Sequence, residues 1–205
     1  MRLVIIDYGA GNVASVRNAF AKLGVKTLVS ANPKEWQRAD ALVLPGVGAF
    51  GAAAVKLDAR KKVLRGLIQK EGKPFLGICL GMQLLLDESE ESPGARGLGV
   101  IPGRVRRFQG KLPVPQTGWN LVEPTRLAGD GNPLFDGMGK FYAYFVHSYY
   151  CAPADRSVVS ANTEYGRRFA SAFCQGNLYA TQFHPEKSGP DGLRLLQNFV
   201  REAKK

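Results

Sequence analysis

Along the first half of the chain, short apolar runs alternate with stretches of mixed polarity. LVIID (3–7), KTLVS (26–30), ALVLP (41–45) and PFLGI (74–78) read as buried strands. The plainest intervening stretch is 52–70, where Val55, Ala59, Val63 and Leu67 recur at helical spacing while Lys56, Arg60, Lys61 and Lys70 point away. That spacing predicts one amphipathic helix with these four residues on its buried side. Repeated strand–helix–strand alternation predicts an α/β fold, a mainly parallel central sheet flanked by helices on both faces.

From about residue 97 the pattern changes. VIPGRVRRF, FYAYFVHSYY, SVVSAN, FASAFCQ and LYATQF are strand-like segments separated by Gly, Pro and Asn, which predicts additional antiparallel strands. A closing helix is expected from about Asp191 to Ala203. No linker or internal repeat interrupts the pattern, so residues 1–205 are expected to form a single domain. A domain of that length buries roughly 70% of its unfolded surface and needs no disulfides.

Composition narrows the setting. With 45% hydrophobic and 22% charged residues the chain is an ordinary globular sequence. MRLVIID lacks the apolar core and cleavage site of a secretory signal, and no apolar run reaches about 18 residues, so a cytoplasmic protein is expected, with no membrane partner. Cys79, Cys151 and Cys174 are odd in number and far apart, arguing for reduced thiols. The net charge of +11 comes from short scattered groups, Arg60 to Lys62, Arg104 to Arg107, and Arg167 with Arg168. They lack the interleaved aromatics of a single-strand binder and any recognition helix, so solvated faces are expected rather than a nucleic-acid site.

Candidate chemistry centres on Gly77-Ile-Cys79-Leu-Gly81, where the strand PFLGI gives way to a helix. Glycines on either side of a nucleophile permit a tight strand-to-helix turn that holds the side chain above the sheet. A cysteine there faces a helix N-terminus, which favours the thiolate, and the Leu80 N–H is positioned to meet a developing oxyanion. Cys151 and Cys174 lack such a setting and are expected to be structural.

A nucleophilic cysteine needs a base, and the chain has only two histidines, His147 and His184. His184 lies in QFHPEKSG with Glu186 two residues on. Pro185 restricts His184 to an extended conformation, where residues two apart share a side, so Glu186 is expected to hold the imidazole. Nucleophile, base and orienting acid make up the logic of a catalytic triad. At another strand end, Gly46 and Gly48 flank Val47 in a loop suited to exposing or rotating its N–H groups, as an oxyanion hole requires.

Gly46 to Gly51 and Gly9 to Ala14 both fit dinucleotide fingerprints. The first lies at a later strand, and the second is followed about 20 residues on by KTLVSANP, without the acid that holds a ribose. A phosphate-binding loop and a compact metal-ligand set are also missing from the sequence, so neither cofactor nor metal is expected.

These motifs resemble the class I, triad-type glutamine amidotransferases, and within them the glutaminase subunits of imidazole glycerol phosphate synthase. The resemblance runs through IDYGAGN (6–12), LPGVGAFG (44–51), GICLGMQLL (77–85), GWN (118–120), YFVHSYY (144–150) and QFHPEKSG (182–189). It implies the flavodoxin-like fold of that family and glutamine as substrate. It also implies a triad of Cys79, His184 and Glu186, an oxyanion hole from Val47 and Leu80, and a glutamine site at Gly48, Gln83, Ser148 and Tyr149.

Asn12, Trp119 and Tyr144 match positions at a docking face, which implies a heterodimer. The resemblance further implies that ammonia passes across it to a cyclase subunit that makes imidazole glycerol phosphate and the aminoimidazole carboxamide ribotide of histidine biosynthesis. The elbow and the His-Pro-Glu run also occur in the glutaminases of anthranilate and pyridoxal phosphate synthesis, and a stand-alone cysteine hydrolase shares the same chemistry.

Overall fold

The computed structural model describes residues 1–125 and 132–205. Its first half comprises β1 (Leu3–Ile6), α1 (Val13–Lys22), β2 (Thr27–Ser30), α2 (Pro33–Gln37), β3 (Ala41–Gly46), α3 (Phe50–Leu57), α4 (Lys61–Gln69), β4 (Phe75–Cys79) and α5 (Leu80–Gln83). There follow β5 (Glu88–Ser89), β6 (Gly103–Arg107), β7 (Gln116–Pro124), β8 (Phe141–His147), β9 (Tyr149–Pro153), β10 (Val159–Glu164), β11 (Arg168–Gln175), β12 (Leu178–Thr181) and α6 (Gly189–Glu202).

Among the described residues the strands form one sheet with the main order β2-β1-β3-β4-β12-β11-β10-β7-β8. The first five of these are parallel. From β12 onward the pairing is antiparallel, with β9 joining β11 and β6 joining β9 as a side branch. The α/β fold with added antiparallel strands is thus the one expected.

Alternation along the parallel strands feeds two cores. Val4, Ile6, Leu42 and Leu44 face one side with Trp36, Phe50, Leu57, Leu64 and Leu67. Leu3, Ile5, Ala41 and Val43 face the other with Val16, Phe20, Leu195 and Phe199. Burial on both faces explains why these strands are apolar throughout rather than alternating. No helix among the described residues is long and apolar enough to cross a membrane.

Three local expectations need correction. The single helix over 52–70 is two helices with a 3-10 turn at Asp58–Arg60 between them. The break resets the helical phase: the buried positions are Phe50, Ala53, Ala54 and Leu57, then Leu64, Leu67 and Ile68. Val55 is 74% exposed and Ala59 is exposed as well, so only Leu67 of the four expected residues is fully buried and Val63 is half-buried. The run FYAYFVHSYY is two strands parted at Ser148, and β7, which carries Gly118-Trp119-Asn120, was missed because its burial is irregular.

The C-terminal ends of β3, β4 and β12 lie side by side. Gly46 pairs with Cys79, and Thr181 with Ile78. The segments that leave these strand ends therefore meet at one edge of the sheet, where ligands of open parallel sheets bind.

Candidate active site

Cys79 closes β4 with φ 55° and ψ −108°; among the described residues it is the one non-glycine residue with positive φ. Such a conformation costs on the order of 1–3 kcal/mol and persists only where the surroundings enforce it. The enforcement is visible in the glycines. A Cβ on Gly77 would stand 2.9 Å from the Gly81 carbonyl oxygen, and one on Gly81 would collide with the Leu44 carbonyl oxygen. Both glycines of the elbow are required by backbone-to-backbone approach as β4 turns into α5. That helix begins at Leu80 and is four residues long.

Behind the cysteine lies a histidine–carboxylate pair. His184 Nδ1 is 2.8 Å from Glu186 Oε1, and both side chains are almost fully shielded from water. The expected pairing is present but its geometry differs: His184 is extended, whereas Glu186 belongs to a 3-10 turn over Pro185–Lys187. The turn, started by proline, swings the carboxylate back onto the ring. Burial lowers the His184 pKa, but the Cys79 sulfur and the Glu186 carboxylate outweigh it and raise the value to about 10. The segment is anchored by His184 N donating to the Tyr144 carbonyl at 2.9 Å and by Ser188 Oγ donating to the His184 carbonyl at 2.7 Å.

In front of Cys79 opens a cavity of about 250 Å³. Its walls include Val47, Gly48, Leu80, Gln83, Ser148 and Tyr149, so all the positions expected for oxyanion and glutamine binding converge there from three separate segments. The paired glycines of the loop turn out to serve different ends. Gly46 is held by close packing, since a Cβ there would stand 2.6 Å from Tyr8 Oη and 2.7 Å from Leu80 Cβ. Gly48 has φ 100° with open space around it, which leaves the Val47–Gly48 end of the loop able to turn.

Sequence reading missed three residues. Tyr8 is buried beneath Gly46 with its hydroxyl unpartnered; burial, and then the nearby Cys79 sulfur, push its phenol pKa up. Glu91 lines the cavity and accepts the Phe50 N–H at 2.7 Å, capping α3, whose own N-cap residue Ala49 provides no side-chain bond. Gln182 is fully buried and donates from Nε2 to Cys79 Sγ at 3.7 Å. Tyr8 follows β1, Glu91 follows β5 and Gln182 follows β12, so tertiary packing makes these contacts, and none has a local signature.

The second histidine is excluded from the role of base by its environment. His147 sits among the rings of Phe108, Phe145 and Phe169 and bonds the Tyr149 carbonyl through Nδ1 at 2.7 Å. Burial depresses its pKa to about 4, with the Tyr149 carbonyl working against the shift and His184 adding to it. Near neutral pH it is uncharged, with the proton on the nitrogen that faces the carbonyl. Burial also raises the thiols of Cys151 and Cys174, the latter to about 11.

A profile of the family described as glutamine amidotransferase class-I matches residues 4–203. The chain belongs to that family. Relatives of this amidotransferase include the imidazole glycerol phosphate synthase subunit HisH of Methanothermobacter thermautotrophicus, 52% identical over 97% of both chains. That of Symbiobacterium thermophilum is 50% identical over 98% of this chain and 93% of its own. A crystal structure of a glutamine amidotransferase superposes with TM-score 0.77 over 99% of each chain at 21% identity, a likeness of fold.

Of the remaining expected positions, two share one exposed face of the amidotransferase and the third caps a helix. Trp119 and Tyr144 face each other across β7 and β8, with rings 6.2 Å apart and nearly perpendicular. Trp119 is 55% exposed, and Tyr142 and Val146 project from the same face of β8. Lys187, next to Glu186, lies 5.5 Å over the Tyr144 ring. Asn12 is the N-cap of α1, its side chain accepting from Ser15 N at 3.3 Å.

Proposed function

We propose that this chain is the glutaminase subunit of an imidazole glycerol phosphate synthase, hydrolysing glutamine to glutamate and ammonia with Cys79, His184 and Glu186 as its triad. The observation that carries the reading is the placement of Cys79 at a strained turn, between the buried His184–Glu186 pair and a cavity lined by Val47, Gly48, Gln83, Ser148 and Tyr149.

The residues supply each step. The Cys79 sulfur attacks the carboxamide carbon of glutamine; the C–S bond forms and the carbonyl electron pair moves to oxygen, where the Leu80 and Val47 N–H groups receive it. Protonated His184 gives its proton to the amide nitrogen, the C–N bond breaks and ammonia leaves a glutamyl thioester. Neutral His184 then takes a proton from water, whose oxygen displaces the sulfur and releases glutamate. Glu186 fixes the imidazole and stabilises its charged form.

Gln83 has a defined part in binding. Its amide N–H groups are taken by the Tyr149 carbonyl at 3.2 Å and Gln182 Oε1 at 3.3 Å. What remains for substrate is its oxygen, which accepts and so suits the α-ammonium of glutamine.

The exposed Trp119, with Tyr144 and Asn12, supports a docking face for the cyclase subunit, since aromatic residues concentrate at interface centres. The pair would act as a heterodimer, with ammonia passing between the subunits. One good oxyanion donor is worth roughly 3–4 kcal/mol, so a loop at Gly48 that withholds the Val47 N–H until the partner is engaged keeps the lone subunit nearly silent.

Ammonia release from glutamine, measured with and without the cyclase subunit and its nucleotide substrate, tests the proposal beside a Cys79→Ser control. Stimulation that vanishes in the control is expected. Glutamine hydrolysis indifferent to that partner would discard the pathway while keeping the cysteine chemistry.

A further inference from the structure

One buried side chain touches the reacting sulfur without entering the scheme above. Gln182 leaves the end of β12 fully buried, with Nε2 3.7 Å from Cys79 Sγ and Oε1 3.3 Å from Gln83 Nε2. Which end of its carboxamide faces the sulfur is decided two links away. The Tyr149 carbonyl oxygen accepts only, so the end of Gln83 that lies 3.2 Å from it is the amide NH₂. The same NH₂ faces Gln182, which therefore presents its oxygen to Gln83 and turns its own NH₂ to Cys79. Reversing Gln182 would set donor against donor at Gln83 and oxygen against the sulfur lone pairs. His147, donating to the same Tyr149 carbonyl at 2.7 Å, holds that carbonyl in place.

We infer that Gln182 is a polarised hydrogen-bond donor to the Cys79 sulfur, held in that orientation by Gln83 and the Tyr149 carbonyl, and that it favours the thiolate over the thiol. The physical ground is asymmetry. A thiol sulfur is a weak acceptor and a thioester sulfur weaker still, whereas a thiolate accepts strongly, and hydrogen bonds to charged groups are about twice as strong as neutral ones. In a buried setting an N–H aimed at sulfur therefore acts on the reactive state and on the leaving sulfur of the second step, and hardly on the acyl-enzyme. The chain of bonds also ties the state of the nucleophile to residues that line the glutamine cavity, Gln83 and Tyr149.

The inference rests on Cys79 being the nucleophile, and alkylation tests the two separately. The full chain is treated with iodoacetamide across a pH series, and the Cys79 peptide is followed by mass spectrometry, so that Cys151 and Cys174 do not contribute. Gln182→Met keeps volume and removes the donor. Its half-maximal pH for Cys79 alkylation is expected to rise by about one unit, slowing reaction about tenfold at pH values below the parent's midpoint. In the assembled synthase kcat should fall while KM stays near that of the parent. Gln182→Asn, polar but one methylene short of the sulfur, should move the midpoint the same way and serves where the methionine variant does not fold. An unchanged midpoint in a folded variant with wild-type Cys79 reactive at low pH overturns this inference alone. Wild-type Cys79 reacting no faster than Cys174 overturns the nucleophile assignment and this inference with it.

Discussion

His184 Nδ1 and Glu186 Oε1 stand 2.8 Å apart with both side chains out of water, two residues apart in sequence and joined by a proline-started turn. In this setting the carboxylate sustains the imidazolium. Glu186→Gln keeps the shape and removes the charge, so the His184 pKa should fall from about 10. With His184 as the proposed acid that releases ammonia, the alkaline limb of the kcat profile should move to lower pH. The kcat of the assembled synthase should drop about a thousandfold or more, by analogy with loss of the orienting acid in other triads. A pH–rate profile superposable on that of the parent would remove Glu186 from the triad.

Gly81→Ala should fail for a steric reason. The added methyl would meet the Leu44 carbonyl oxygen of the neighbouring strand, and neither backbone has room to retreat. A loss of about 3 kcal/mol in urea unfolding is expected. At Gly66, where a Cβ would meet nothing within 4 Å, alanine should be tolerated and should even favour α4 by up to about 1 kcal/mol. Equal effects at the two positions would contradict the tight packing of the elbow.

His147 predicts loss of stability in mild acid. Its imidazole is neutral in the folded chain down to about pH 4, whereas an unfolded histidine takes a proton near pH 6.5. The unfolded state therefore binds more protons as pH falls between those values. The stability owed to the neutral ring is full above about pH 6.5 and is lost as pH falls toward 4, at most about 3 kcal/mol. Denaturant unfolding of the parent and of His147→Gln at neutral pH and near pH 4.5 measures it, with a smaller decline expected in the variant.

Trp119→Ala separates docking from folding. With 55% of the residue exposed, its removal should change stability by no more than about 0.5 kcal/mol. If the β7–β8 face receives the cyclase subunit, a central aromatic there is worth about 2 kcal/mol or more, and the Kd should rise at least about thirtyfold. Titration calorimetry reads the change directly, and an unaltered Kd would move the interface elsewhere.

Local signals carried most of the candidate site's geometry because the parts that need special residue types announce themselves. Gly77 and Gly81 around Cys79 are demanded by a turn that admits no Cβ, and the His184–Glu186 pair is two residues long in sequence, so both were legible without a fold. The alternation of apolar runs likewise sufficed for a parallel sheet buried on both faces. Tertiary structure decided the rest, through contacts with no local signature. The break at Asp58–Arg60 rotated the buried stripe away from Val55 and Ala59, because periodicity gives a stripe but not its phase once a helix is interrupted. Sheet order brought the ends of β3, β4 and β12 together and so set Gln182 against the Cys79 sulfur, while the segments after β1 and β5 brought Tyr8 under Gly46 and Glu91 to the cavity wall. Residue type sets what chemistry a side chain is capable of; strand pairing, fixed by burial and backbone hydrogen bonds across the whole chain, sets what it touches.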